Sequence, residues 1–300
     1  MVEDVNIYAL KPGDKIQRYV INGILGSGGF GIVYSAYHQW LNYEVVIKEF
    51  FPQGLVVRKD EMLLPISSEN SGIYLESLEK FQQECEVLLG LDHPNVVYVY
   101  DCFTHNQTAY MVMHKEVGCT LSDKENEHIN STGYRFSWQD LMPLLPPLFD
   151  GMAYIHSKGI IHRDIKPDNI YLQQKQMALP KIIDFGAVKV KAKNFQSQYA
   201  PLTPGYAPIE QELDLNMTGN WIDVYSLAMT IIRMLSGQVP DSAQNRPEPN
   251  SGQPDFVVDT LNSLSGYVSG SVLDALYQAT LKYPDERTQS INQLRNNLGI

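Results

Sequence analysis

From residue 16 to residue 50, Val, Ile, Tyr and Phe crowd together between glycines, which predicts strands joined by turns. Residues 53–75 are mixed and polar and predict a long connection. From Leu75 to Leu91 apolar side chains recur at Leu78, Phe81, Cys85, Leu88 and Leu89, the spacing of one helix face. His93-Pro94-Asn95 then breaks the pattern. Val96–Phe103 and Thr108–Met113 predict two further strands. Beyond Gly118 the character changes. Residues 139–158, 221–236, 270–282 and 289–298 predict helices. Residues 122–137 read as a polar insertion, and Gly237–Gly270, rich in Pro, Ser, Asn and Gly, as loop. The first part is thus expected to be mostly sheet with one helix and the rest mostly helix, with no internal repeat.

Length is compatible with two lobes, since 300 residues exceed what one small core needs. The balance of 23 basic against 34 acidic residues gives a net charge of −11, which argues against nucleic acid or an anionic membrane surface as the main partner. The most apolar internal run, Val224–Leu235, is short and contains Arg233, so it predicts a buried helix. No membrane segment is expected within these residues, and the acidic start MVEDVNIYALKPGDK does not resemble a signal peptide. Cys85, Cys102 and Cys119 are odd in number and form no CxxC pair, which points away from a disulfide framework or zinc site and toward a reducing, cytoplasmic setting.

Candidate chemistry begins with Gly26-Ser27-Gly28-Gly29-Phe30-Gly31, followed by Ile32-Val33-Tyr34. Glycines let backbone N–H groups approach phosphates without side chains intervening. Alone the motif also suits a dinucleotide-binding turn or a flexible hairpin. A dinucleotide fingerprint runs from strand into helix, whereas β-branched and aromatic residues flank both sides here, so the loop is expected to join two strands. Val45-Val46-Ile47-Lys48 is a short apolar strand ending in one lysine; taken alone it is a surface lysine, but 17 residues after Gly31 it suits a phosphate contact. Such a lysine needs a carboxylate: Glu84 stands nine residues before His93 on the expected helix, with Glu86 as competitor.

The run His162-Arg163-Asp164-Ile165-Lys166-Pro167-Asp168-Asn169 packs a carboxylate, a lysine two residues on and an amide five residues on. A carboxylate can orient a hydroxyl, a lysine can neutralise a transferring phosphoryl group, and an amide oxygen can bind Mg²⁺. Asp184-Phe185-Gly186, 15 residues after Asn169 and behind Ile182-Ile183, adds a hard oxygen donor suited to the same metal.

In this order and spacing, over about residues 16–298, the motifs resemble the eukaryotic-like (Hanks-type) Ser/Thr protein kinases. Lys48-Glu49-Phe50-Phe51-Pro52 and Thr203-Pro204-Gly205-Tyr206-Ala207-Pro208-Ile209-Glu210 resemble a bacterial branch, and Lys166 the Ser/Thr-specific pattern. The resemblance implies an α+β, bilobal protein kinase fold: an N-lobe over 1–113, mainly β with one helix, a hinge at 114–118 and a mainly α C-lobe over 119–300. It implies ATP and Mg²⁺ as cofactors and protein Ser/Thr hydroxyls as substrates, with Mg·ATP held between the lobes. Asp164 and Lys166 would serve catalysis, with Lys48 held by Glu84. Gly26, Ser27, Gly28, Gly29, Phe30, Gly31, Val33, Val46, Lys48, Met113, His114, Glu116 and Tyr171 would meet the nucleotide, with Lys115 also in the hinge, and Asn169 and Asp184 the metal. It further implies a Glu210–Arg287 pair, a brace from Asp223 to the catalytic loop, and an apolar spine through Leu88, Val99, His162 and Phe185. Thr203 is expected on Asp164 and Lys166, and Ser197, then Tyr199, as a phosphate acceptor opposite Arg163, with Lys189, Lys191 and Lys193 as a solvated basic stretch.

Ala-Pro-Ile-Glu before Glu210, Val46 in place of alanine and Ala228 in place of glycine depart from the common pattern, but none removes a chemical group. A pseudokinase scaffold is the alternative reading. Lys48, Asp164, Asn169 and Asp184 are all present, which disfavours it. A small-molecule kinase of related fold would lack the long segment from Asp184 to Glu210. Cys119 would sit near the ribose, with no feature that makes it reactive.

Overall fold

The computed structural model describes residues 8–174, 179–185, 189–190, 202–213, 215 and 217–300. The chain forms two compact units. One contains residues up to Asp92 together with Val97–Glu116; the other contains His93–Val96 and Val117–Ile300.

The first unit is a six-stranded antiparallel sheet with one long helix. In chain order it comprises β1 (Lys15–Ile16), β2 (Tyr19–Gly28), β3 (Gly31–His38), β4 (Glu44–Phe50), β5 (Val56–Lys59), β6 (Met62–Pro65), α1 (Ser68–Leu89), β7 (Val99–His105) and β8 (Thr108–His114). The sheet order is β1-β2-β3-β4-β8-β7. Strand periodicity sorts its side chains into two faces. Ile32 and Tyr34 of β3, Ile47 and Glu49 of β4, and Tyr110 and Val112 of β8 share one buried face. Val33, Val46, Lys48 and Met113 share the other, half-buried one. Residues 8–14 and the β5–β6 hairpin line the first face: the Leu10 N–H donates to the Tyr34 hydroxyl at 3.1 Å, and Arg58 of β5 reaches Glu49.

The expected connection over 53–75 is therefore partly structured. It holds the β5–β6 hairpin, and α1 starts at Ser68, seven residues ahead of Leu75. Ser67 caps that start, its hydroxyl accepting from the Asn70 N–H at 3.3 Å. The first two turns of α1 bury only Tyr74, so apolar spacing could not reveal them. The strand expected from Val96 runs instead over Val99–His105.

The second unit begins with β9 (Gly118–Thr120), α2 (Leu121–Thr132), α3 (Trp138–Leu141), α4 (Leu145–Ser157) and β10 (Ile160–Ile161). It continues with β11 (Ile170–Gln173), β12 (Pro180–Ile182), β13 (Lys189–Val190), α5 (Ile209–Glu212), α6 (Trp221–Ser236), α7 (Phe256–Ser263), α8 (Gly270–Ala279) and α9 (Ile291–Leu298). Nearly every side chain of α6 is buried, so this helix forms the core of the unit. The polar insertion over 122–137 is mostly helix. Thr120 and Asp123 form a reciprocal cap at its start, and Gly133 ends it at φ 76°. Only Leu121 and Glu125 of α2 are buried, too few to mark a face. The helix expected over 139–158 is split into α3 and α4, with prolines at 143, 146 and 147 around the junction. The expected loop after Gly237 contains α7, capped by Asp255. Among the described residues, no helix is long and apolar enough to cross a membrane.

Candidate active site

In the first unit the glycine motif joins β2 directly to β3, strand to strand, as its flanks predict and unlike a dinucleotide turn. Gly31 has no room for a side chain, because a Cβ there would lie 2.6 Å from the Glu49 carbonyl oxygen. Gly29 and Phe30 turn their carbonyls toward the chain after β4, accepting from the Gln53 and Phe51 N–H groups at 2.8 and 3.0 Å. The Phe30 ring, Gly26, Ser27 and Gly28 are exposed. Lys48 lies on the sheet face that carries Val33, Val46 and Met113. Glu84 on α1 is half-buried and its rival Glu86 exposed. The charges of both Glu84 and Lys48 act on the Cys85 thiol, so the two lie in one neighbourhood. The neighbouring Cys102 and burial raise the pKa of that thiol strongly. Leu88 and Val99 are buried. At the end of β8, His114 is exposed with its Nδ1 2.5 Å from the Tyr100 hydroxyl; Glu116 is half-buried, and Lys115 pairs with Glu44 at 2.8 Å.

In the second unit Asp164 is 7% exposed and its carboxylate contacts three side chains. The Asn169 amide donates to its Oδ2 at 2.9 Å and to its carbonyl at 2.8 Å. The Lys166 ammonium lies 2.9 Å from Oδ2. The Thr203 hydroxyl donates to Oδ1 at 2.7 Å and accepts from Lys166 at 2.7 Å, as its setting implied. The Asn169 nitrogen is thus spent on Asp164, leaving its oxygen as the acceptor available to a metal. Asp184 is exposed at φ 56°, two residues after β12, and Ile183 between them is tied to the Asn169 carbonyl at 3.0 Å. An amide oxygen and a carboxylate are hard donors, so Asn169 and Asp184 suit Mg²⁺. Tyr171 is half-buried on β11, opposite Thr120 and Lys181.

A fully enclosed Asp223, in the first turn of α6, holds the loop that carries Asp164. It accepts from the His162 and Arg163 N–H groups at 2.9 and 2.8 Å and from His156 at 2.7 Å. Burial alone would raise its pKa, but the His156 contact and these hydrogen bonds bring the net value below the ordinary carboxylate range. Arg163 adopts φ 69°, a conformation costing of order 1–3 kcal/mol for a non-glycine residue. Asp223 from one side and Gln211, donating to the Arg163 carbonyl at 2.8 Å, from the other hold it there. His162 packs its ring 4.7 Å from Phe185 and is wholly buried. Its Nε2 meets the Ile183 carbonyl at 3.1 Å and its Nδ1 the Asp164 N–H at 3.3 Å. Only the neutral ring with the proton on Nε2 satisfies both contacts. Accordingly, burial lowers the His162 pKa despite the nearby Asp223 and Asp164. Glu210 and Arg287 form the expected buried pair at 2.7 Å. Ser197, Tyr199, Lys191, Lys193 and Gly186 lie outside the described residues, and Lys189 is described only as part of β13.

Two sets of residues went unnoticed in the sequence. One is Gln211 and His156, whose partners are distant in the chain. The other is Glu49, with its donors Tyr34, Tyr110 and Arg58 at 2.8, 2.7 and 2.5 Å. Glu49 had a signal: it follows Val45 and Ile47 in strict alternation, which aims it into the buried face.

Comparison with known proteins agrees with this geometry. The family described as "Protein kinase domain" matches residues 19–262. Serine/threonine-protein kinase PknA of Nostoc sp. is 32% identical over 290 residues, covering 92% of this chain and 46% of that protein. Serine/threonine-protein kinase C of Synechocystis sp. is 32% identical over 234 residues, covering 74% of this chain and 40% of that protein. The chain therefore spans less than half the length of these curated relatives. The structure of PpkA-294 in its apo form superposes with a TM-score of 0.80 at 29% identity, covering 97% of this chain and 99% of that one. The kinase domain of Mycobacterium tuberculosis PknI shares the fold at a TM-score of 0.68 and 21% identity, covering 97% and 99%. The sheet-and-helix first unit, the helical second unit and these matches together show that the chain has the bilobal protein kinase fold and belongs to the protein kinase family, in the bacterial branch of Hanks-type Ser/Thr kinases.

Proposed function

We propose that the chain transfers the γ-phosphoryl group of Mg·ATP to Ser or Thr hydroxyls of proteins, its own included. The observation that carries the reading is the hydroxyl of Thr203 donating to Asp164 Oδ1 at 2.7 Å while Lys166 donates to that same hydroxyl. A threonine hydroxyl on Asp164 is the contact a general base needs with its acceptor. Substrate would replace Thr203 there, Asp164 would orient the acceptor and take its proton, and Lys166 would sit beside the developing charge. Asn169 holds the Asp164 carboxylate in place. Its oxygen, with Asp184, would hold the Mg²⁺ that neutralises phosphate charge when ATP is bound. Gly28, Gly29 and Phe30 would close over the phosphates and Lys48, held by Glu84, would contact them; Val33, Val46 and Met113 would line the adenine side. A cytoplasmic, reducing setting fits the free thiols Cys85, Cys102 and Cys119. The pseudokinase alternative gains no support, because no member of the Asp164–Lys166–Asn169 group is missing.

Two variants test the roles. Lys48→Ala should lower turnover at least about a hundredfold, a loss of roughly 3 kcal/mol in the barrier, while melting within a few degrees of the parent. Turnover within threefold of the parent would remove Lys48 from the site. ATP should raise the melting temperature more with Mg²⁺ than with EDTA, and Asp184→Asn should abolish that difference. A metal effect unchanged in the variant contradicts the assignment.

A further inference from the structure

The second unit carries a mixed-charge cluster that the phosphotransfer chemistry does not use. Glu125 of α2 is 2% exposed, and its carboxylate accepts from Arg233 of α6 at 2.8 Å. Its α2 helix packs on the single turn Pro167–Asn169, which presents the exposed Asp168. Tyr206, nearly buried, lies near Arg233, Asp168 and Glu125 and feels their charges; burial pushes its pKa up to about 12. The Glu125 carboxyl is itself raised, first by burial and then by Asp168, against the opposing pull of Arg233. Two carboxylates and one guanidinium therefore share one small region of the second unit.

That region adjoins the phosphotransfer residues. Asn169, next to Asp168, is hydrogen-bonded to Asp164. Thr203, three residues before Tyr206, donates to the same carboxylate. A polypeptide that places its hydroxyl on Asp164 can therefore lay a neighbouring side chain near this cluster. Two acids beside an acceptor site would draw a basic side chain. Here Arg233 already occupies the inner acid, in a charge-assisted contact that water scarcely reaches, its side chain being 19% exposed.

We infer that Arg233 is a specificity-determining residue: it fills the place a substrate Arg or Lys would take on Glu125, so the chain does not select basic residues beside the acceptor. This rests on the phosphotransfer reading of Asp164. Charge removal on either side should shift preference in opposite directions, which a merely structural Glu125–Arg233 pair would not do.

The experiment is a positional peptide library, phosphorylated with Mg·ATP by the parent, Arg233→Gln and Glu125→Gln. At one position within about four residues of the acceptor, Arg233→Gln should raise the ratio of basic to acidic peptides phosphorylated about tenfold over the parent. Glu125→Gln should lower that ratio at the same position, because Arg233 is then left without its inner partner. If either variant fails to fold, the other still carries its own direction of shift. Variants that phosphorylate the library with the parent's ratio overturn the inference and reduce the pair to a strut between α2 and α6. A parent that labels no peptide and no protein overturns the phosphotransfer reading itself, and this inference with it.

Discussion

Both units of the molecule enclose a carboxylate–guanidinium pair with its acid fully buried, and Glu210–Arg287 and Glu49–Arg58 are wired differently. In the second unit Arg287 reaches both oxygens of Glu210, at 2.7 and 3.2 Å, with neither side chain exposed. Its remaining N–H groups donate to the carbonyls of Leu281 and Lys282, and the Tyr225 ring lies 4.8 Å away. In the first unit Glu49 is equally enclosed but spreads its acceptance over Arg58, Tyr34 and Tyr110. Burial and the hydrogen-bonded neighbour Glu49 push both tyrosine hydroxyls above their ordinary pKa, which favours their role as donors. One buried acid thus leans on a single bidentate partner, whereas the other is served by three. Desolvating a carboxylate costs several kcal/mol, and the two arrangements should fail differently when a donor is lost.

The largest effect is expected from Arg287→Ala. It leaves Glu210 enclosed without its guanidinium, which should cost about 3–5 kcal/mol in denaturant unfolding. Joint replacement by Glu210→Met and Arg287→Leu should recover most of that loss; no recovery would mean the cost lies in the carbonyls that Arg287 also serves. A smaller effect is expected from Glu49→Gln. The amide oxygen can still accept from one tyrosine while its NH₂ donates to the other hydroxyl, and Arg58 keeps the Tyr8 and Glu61 carbonyls, at 2.7 and 3.3 Å, so the loss should be about 2 kcal/mol. A cost equal to that of Arg287→Ala would erase the distinction between concentrated and distributed pairing.

The smallest effect is one of pH. His162 is neutral in the fold and its pKa lies below the ordinary value near 6.5. Below that value the unfolded chain takes up a proton that the folded one refuses, so stability is full above about pH 6.5 and declines as pH falls. The decline should be shallower in His162→Gln, read as melting temperature between pH 7 and pH 5. Asp223 acts lower on the scale: its depressed pKa adds stability above the ordinary carboxylate value near 3.8 and loses it as pH falls through the folded value. Equal slopes for parent and His162→Gln would place the acid response elsewhere.

Much of the second unit's site was legible because its residues are crowded into two short runs, 162–169 and 203–210, where each side chain meets the next within a few positions. The Thr203 contact with Asp164 joins the two runs across 39 residues, and the Glu210–Arg287 pair spans 77; both were expected from resemblance and not from local spacing. What stayed hidden shares a physical cause. The α2 helix is held by a capping box and a left-handed Gly133 while burying only two side chains, so its stability lies in its ends and not in a hydrophobic stripe. The β5–β6 hairpin and the early start of α1 are polar outside and join the core through Val56, Leu63 and Tyr74 alone, which periodicity cannot see. Gln211 bonded to the Arg163 carbonyl is a tertiary contact spanning 48 residues, and no local pattern announces such a contact.

One consequence concerns where this fold may be cut. The family match opens at residue 19, yet the sheet's inner face is closed by residues upstream of it. The Leu10 N–H serves the Tyr34 hydroxyl, the Tyr8 carbonyl serves Arg58, and Gly13 and Asp14 exchange backbone hydrogen bonds with Ile21 at 2.9 Å each. A fragment trimmed to the family boundary would lose all four partners and lay open the face that carries Glu49. For expression, for proteolytic mapping and for domain grafting, the indivisible piece of this chain begins by Tyr8, eleven residues ahead of the recognised domain.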